Sequence, residues 1–383
     1  MYTQSLWRRI RSFAPWIVCL FAIFSAAAQS APIQNAVYVS GEGGYDTYRI
    51  PAVVVTRSGT VLAFCEGRVS GRGDSGDIDL LVKRSDDHGV TWSNHTVVWS
   101  DLDNTSGNPS PVVDSTTGII WLLMTWNRGD DKEREIIEQT SEDTRRVYVT
   151  HSDDDGMTWA EPHEITSLAK RPDWTWYATG PGAGIQLKQP GTFQGRLVIP
   201  CDHIEAGTKH YFSHVIYSDD HGATWKLGGR TPNPQVNECQ VVELSDGRLM
   251  LNMRNYDRSK KSRQVAYSDN GGGRWTDQRF DTALAEPICQ ASIRRFSDDP
   301  SVVLFSNPSS ESTRENMTVR SSEDEGLNWT RELVLHPGPS AYSDLAVLGD
   351  GTIGCLYERG DDNPYETITF ARFGIEALTA ATP

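Results

Sequence analysis

Cysteine is scarce in this chain and follows no pattern. Of the 6 cysteines, Cys19 lies in an N-terminal apolar stretch, and Cys65, Cys201, Cys239, Cys289 and Cys355 form no C-x-x-C pair. Such a set signals neither a zinc site nor a disulfide framework. Cys65, Cys201 and Cys355 fall in apolar, strand-like runs (LAFC, LVIPC, IGCLY). Buried structural thiols are therefore expected, with a disulfide between some pair as the alternative. Positive charge is also in deficit, since 36 Lys and Arg face 51 Asp and Glu for a formal net charge of -15. That argues against nucleic acid as a partner. An anionic ligand has to be held by a local arginine cluster, against a global field that fades over about 8 Å in physiological salt.

Long apolar runs are missing apart from Phe13 to Ala28, which follows Arg8, Arg9 and Arg11 and ends on Ala26, Ala27 and Ala28. The run is short for a membrane span, which needs roughly 20 residues. Residues 1–30 are expected to be a secretory signal peptide, leaving a secreted or periplasmic product with no membrane span. Linkers, low-complexity tracts and long helical periodicity are absent too, while Gly and Pro punctuate the chain throughout. One all-β domain over residues 31–383 is the expectation. The most charged stretch, Arg128 to Arg146, is expected to be a solvated loop or short helix, with a place at the rim of a substrate site as the alternative.

What the chain does contain is a repeat. S-x-D-x-G-x-T-W runs from Ser85 to Trp92, from Ser152 to Trp159 and from Ser218 to Trp225, then more loosely from Ser268 to Trp275 and from Ser322 to Trp329. Each copy follows a β-branched or alternating run such as DLLVKR, RRVYVTH, SHVIY or NMTVR, so each reads as strand, tight turn, strand. Asp suits such a turn by accepting backbone N–H bonds, Gly by taking positive φ, and Trp by covering the hairpin. A calcium loop is excluded, because His151 and Pro162 occupy its first and last ligand positions. Copies recurring roughly every fifty to seventy residues suit four-stranded antiparallel blades, and the chain length then predicts a six-bladed β-propeller. Ring closure would pair a strand near Val37 with one at Thr367 to Phe373.

Polar residues outside the repeat cluster in short motifs. Tyr48-Arg49-Ile50-Pro51 opens the first blade, and its proline suits the start of a strand. Then come Glu66 and Arg68, Asp74 in G-R-G-D-S-G, Glu238 in N-E-C-Q, Arg254 in N-M-R-N, Arg314 after S-N-P, Tyr342 in A-Y-S-D-L and Glu358 in L-Y-E. Trp174, Trp176 and Tyr177 form an aromatic patch before a Gly-Pro-Gly loop. It could line a pocket or pack the core.

With its F/Y-R-I-P arginine and repeated Asp boxes, the sequence resembles the sialidase (neuraminidase) family over nearly all of residues 31–383. The resemblance implies an exo-α-sialidase acting on sialylated glycoconjugates without metal or other cofactor. It implies that Arg49, Arg254 and Arg314 clamp the substrate carboxylate, a role guanidinium groups fill by paired, charge-assisted bonds. Glu358 would brace the first arginine. Tyr342 would be the nucleophile and Glu238 its base, since sialidases depart from the carboxylate nucleophile of most glycosidases. Asp74 would cycle as acid and base, with Asp77 the alternative and Arg68 on the same side of the pocket. A trans-sialidase would use the same residues, and a non-catalytic propeller that binds sialylated glycans could share the boxes.

Overall fold

The computed structural model describes residues 1–3 and 31–381, so the signal peptide expected at residues 1–30 lies almost wholly outside the described residues. No described helix is long and apolar enough to cross a membrane. The fold is all-β, and the described residues form four hydrogen-bonded sheets of eight, five, four and eight strands. Among the described residues pairing is antiparallel except for one parallel bridge, Ile78 to Thr105.

Within these sheets the chain runs as successive four-stranded meanders. Their innermost strands are Thr47–Val55, Trp174–Thr179, Val236–Glu243, Ser292–Asp298, and Thr105–Val113, which shares a sheet with the first. The long strand Arg331–Val347 ends one meander and begins the last, pairing with Glu315–Ser322 through its first half and with Ile353–Arg359 through its second. That last meander is completed from the other end of the chain. Ile33–Val39 pairs with Thr367–Phe373, in the register Val39 to Thr367 and Ile33 to Arg372, as expected from sequence.

The core lies between meanders. Leu62, Phe64 and Leu80 pack on Ile120, Leu122 and Met124; Trp121 and Leu123 pack on Leu197, Ile199 and Trp225. The pattern continues with Val198 and Val215 on Leu249 and Leu251, Met250 on Phe305, and Leu304 on Leu345 and Cys355. One more cluster joins the ends of the series, setting Tyr38 and Phe370 against Val53, Val61 and Leu81. Because each meander is covered on both faces, strands such as Val61–Arg68 are buried at every position and read as nearly continuous apolar runs. All five described cysteines are free and buried.

The repeated turns do what their residues suggest. Asp87 Oδ1 accepts the N–H groups of Val90 at 3.1 Å and Thr91 at 2.8 Å, together with the Ser85 hydroxyl at 2.8 Å. Asp154, Asp220 and Asp324 keep the serine hydroxyl and the N–H bond from the residue four positions on, and Asn270 keeps the backbone bond from Arg274. Each box glycine has positive φ; those of the second to fifth boxes lie against the preceding meander, and Gly89 of the first lies against the last. At Gly222 (φ 89) a Cβ would stand 2.1 Å from the Trp121 ring, and at Gly89 (φ 85) 2.1 Å from Phe370.

Candidate active site

At the opposite end of the inner strands the regular ladder breaks. Register shifts fall between Arg49 and Ala52, Gly107 and Ser110, Trp174 and Tyr177, Val236 and Cys239, and Ser340 and Ser343. A bulge inserts a residue and re-aims its neighbours. Here the re-aimed side chains include Arg49, Trp176, Glu238 and Tyr342. Pro51 accordingly sits within a bulge inside its strand rather than at the strand's start, a position where the missing N–H leaves no ladder bond broken. The backbone is strained beside this proline: Ile50 has φ 63, and Ile288, near the Arg314 guanidinium, has φ 58. A β-branched residue in the left-handed region is a genuine outlier, and such strain gathers at functional sites.

These residues surround a cavity of about 330 Å³ lined by Arg49, Arg68, Asp74, Glu238, Arg254, Arg314 and Tyr342, among others. The Tyr342 hydroxyl donates to Glu238 Oε1 at 2.6 Å and accepts from Arg254 Nη1 at 3.0 Å. Arg254 Nη1 also meets Glu238 Oε2 at 2.6 Å. The guanidinium carbons of Arg49 and Arg314 stand 5.0 and 5.6 Å from the centroid of the same tyrosine ring. Three guanidiniums from distant parts of the chain thus surround one phenol.

Glu358 organises this cluster from beneath. Fully buried, it receives Arg49 Nε at 3.1 Å and the backbone N–H groups of Ile50 at 2.9 Å and Tyr342 at 3.1 Å. Among the described residues Arg314 meets no such carboxylate, and donates instead to the Tyr365 hydroxyl at 2.9 Å and the Ile288 carbonyl at 3.2 Å. Arg68 pairs with Glu66 at 2.6 Å and with Asp74 at 2.8 Å. Asp74 is open to solvent, its side chain 57% exposed, and Arg49 lies 3.6 Å away. Asp77 does not line the cavity.

Charge sets the resting state of these groups. Burial and the Glu238 carboxylate raise the Tyr342 pKa well above its ordinary value, outweighing Arg254, Arg314 and Arg49. The phenol is therefore neutral at rest, with its proton already directed at Glu238. The surrounding pocket walls partly desolvate Asp74 and push it upward despite its exposed side, but Arg68 and Arg49 prevail and hold its carboxyl below the usual range.

The aromatic patch divides. Trp176 lines the cavity, with the Arg145 guanidinium 4.0 Å from its ring centroid. Trp174 and Tyr177 do not line it: both are buried in the core, Trp174 stacked on His203 at 3.4 Å and Tyr177 within reach of His214 at 3.2 Å. The bulge between them turns both inward. The charged stretch also departs from a purely solvated loop. Its helix, Glu133–Glu138, brings Glu133 to the cavity, and Arg145 is buried against Asn108, Thr125 and Asn127. Asp202, Tyr256 and Tyr365 also line the cavity without having been singled out from sequence. None belongs to a local motif.

Residues 51–355 match the BNR repeat-like domain. The chain is 35% identical to a sialidase of Micromonospora viridifaciens over 349 residues, 88% of this chain and 53% of that protein. It therefore spans about half the length of that relative. An exo-alpha-sialidase of Aspergillus fumigatus is 32% identical over 394 residues, covering 93% of this chain and 89% of its own. Among solved structures, the Hadza microbial sialidase Hz136 superposes with a TM-score of 0.82 at 31% identity, covering 91% of this chain and 69% of that one. With a repeat domain matched over most of its length and relatives of this identity, the chain belongs to the sialidase family.

Proposed function

We propose that this protein is an exo-α-sialidase that hydrolyses terminal α-linked sialic acids on glycoproteins, glycolipids and oligosaccharides, with retention through a tyrosyl-glycoside intermediate. The observation that carries this reading is the Tyr342 hydroxyl, bonded to Glu238 at 2.6 Å amid the guanidiniums of Arg49, Arg254 and Arg314. A sialic acid bears a carboxylate on its anomeric carbon. A carboxylate nucleophile would be repelled there, whereas a phenol that loses its proton to Glu238 as it attacks delivers a neutral oxygen. The three arginines take the substrate carboxylate by charge-assisted bonds and hold the anomeric carbon over the phenol.

Departure of the aglycone requires a proton. Asp74 faces the open side of the pocket and supplies it, then removes a proton from the water that frees the sugar. In the ligand-free site its low pKa works against the acid role. A substrate carboxylate seated on Arg49 offsets one of the two charges responsible, which shifts Asp74 toward protonation. Arg68 orients Asp74, Glu358 holds Arg49, and Trp176 forms the wall that receives an arm of the sugar.

The meanders form six blades around a channel in one domain over residues 31–383, a reading supported by the cluster that joins the first and last meanders and by the contact of Gly89 with Phe370. Export of the domain by residues 1–30 would place it where sialylated glycoconjugates are met. The test is turnover of a fluorogenic sialoside by purified protein, followed by NMR of the first-formed sialic acid anomer with and without lactose. The α anomer as first product supports the proposal. Transfer mainly to lactose would assign a trans-sialidase, and no turnover by folded protein would leave a binding propeller.

A further inference from the structure

Arg72 differs from every other guanidinium at the cavity mouth. Arg49, Arg68 and Arg254 each meet a carboxylate, Arg314 donates to Tyr365 and Ile288, and Arg145 donates to Asn108, Thr125 and Asn127. Among the described residues the Arg72 guanidinium has neither a carboxylate nor a hydrogen-bond partner. Its side chain is exposed but lines the cavity, and its guanidinium carbon stands 5.9 Å from the Tyr365 ring centroid. An exposed arginine without a partner is ordinary on a protein surface; its placement here is not. The backbone that carries it is fixed, because the carbonyls of Arg72 and Gly73 accept from Arg68 Nη1 at 2.6 and 3.0 Å. That same nitrogen lies 2.8 Å from Asp74. One buried guanidinium therefore sets the position of Asp74 and of the free cation two residues before it.

If Asp74 protonates the leaving group, its side of the pocket is where the penultimate sugar lies, so this inference rests on the sialidase reading. An anionic penultimate sugar arriving there meets Asp74 and the field of a chain with net charge -15. We propose that Arg72 is a specificity-determining residue that favours sialosides whose penultimate sugar carries an anionic group, either the carboxylate of a second sialic acid or a sulfate ester. The guanidinium offsets the repulsion from Asp74 and pairs with the added charge, either of whose anions it can meet with two parallel bonds.

The test compares kcat/KM for three substrates: 3′-sialyl-N-acetyllactosamine, the same trisaccharide sulfated on galactose, and an α2-8-linked disialyl-lactose. Each is measured with wild type, R72Q and R72K, at low salt and at roughly 0.5 M salt. R72Q is expected to lower the charged-to-neutral ratio about three- to fivefold, the effect of a partly exposed ion pair. R72K should restore most of it, and high salt should shrink the difference. A change confined to the disialyl or to the sulfated substrate assigns the carboxylate or the sulfate as the anion read. Equal ratios in wild type and R72Q for both charged substrates overturn the inference. If folded wild type cleaves none of the three, the sialidase reading falls and takes this inference with it.

Discussion

At the rim, Asp87 collects two backbone N–H bonds and two hydroxyl bonds around a turn whose positive φ falls partly on glycine. At the cavity, Ile50 is held at φ 63 and three guanidiniums crowd one phenol. Both regions sit at ends of the same meanders. One relieves each local demand with a local residue, whereas the other accepts strain and charge crowding that only distant residues offset. Stability is thus expected to reside in the boxes and chemistry in the bulges, and substitutions at the two ends should separate the two properties.

The largest effect is expected at the cavity. Tyr342→Phe removes the hydroxyl that meets Glu238 and Arg254, and should lower kcat by about three orders of magnitude or more while moving Tm by no more than about 2 °C. A large fall in Tm would show that the phenol also supports the fold and would blur the comparison. Second comes Gly222→Ala at the rim. A Cβ there would stand 2.1 Å from the Trp121 ring, on a backbone at φ 89, so a loss of about 2–4 kcal/mol in urea unfolding is expected. Activity per folded molecule should persist, since the box lies far from the strand ends that carry the pocket.

The smallest effect concerns acid. The Thr91 hydroxyl and backbone N–H pull the Asp87 carboxyl down to about 2, below its unfolded value of about 3.9. A carboxyl with a depressed folded pKa adds its stability in full above the unfolded value, and that contribution fades as pH falls toward the folded one. Melting of the wild type should therefore soften between about pH 4 and 2. Asp87→Asn, which copies the fourth box, should flatten that part of the profile when Tm is followed by circular dichroism. An unchanged profile would mean that this carboxylate contributes no acid sensitivity.

The same contrast explains what could be read from the chain. The boxes were legible because the device is complete within eight consecutive residues from Ser85 to Trp92, and its bonds close inside that span. Arg49, Glu238, Arg254 and Tyr342 became legible only through resemblance, for nothing within a few residues of each marks it as a neighbour of the others. Tyr365 and Asp202 lacked even that signal. Their nearness to the cavity is set by how meanders converge, which no local spacing encodes. Trp174 and Tyr177 show the opposite failure: an aromatic run suggested a single surface, and the register shift between its ends turned two of the three rings inward. Bulges interrupt the two-residue alternation on which such readings depend.

Glu358 has a consequence for the order of events in the life of the chain. Its carboxylate clasps Arg49 and the peptide groups of Ile50 and Tyr342, across a gap of 309 residues from the first of them. During synthesis Arg49 emerges long before its brace exists. The cluster of side chains around Tyr342 is therefore completed only when the last meander, which carries Glu358, folds against the first, so an incomplete chain released early lacks that cluster.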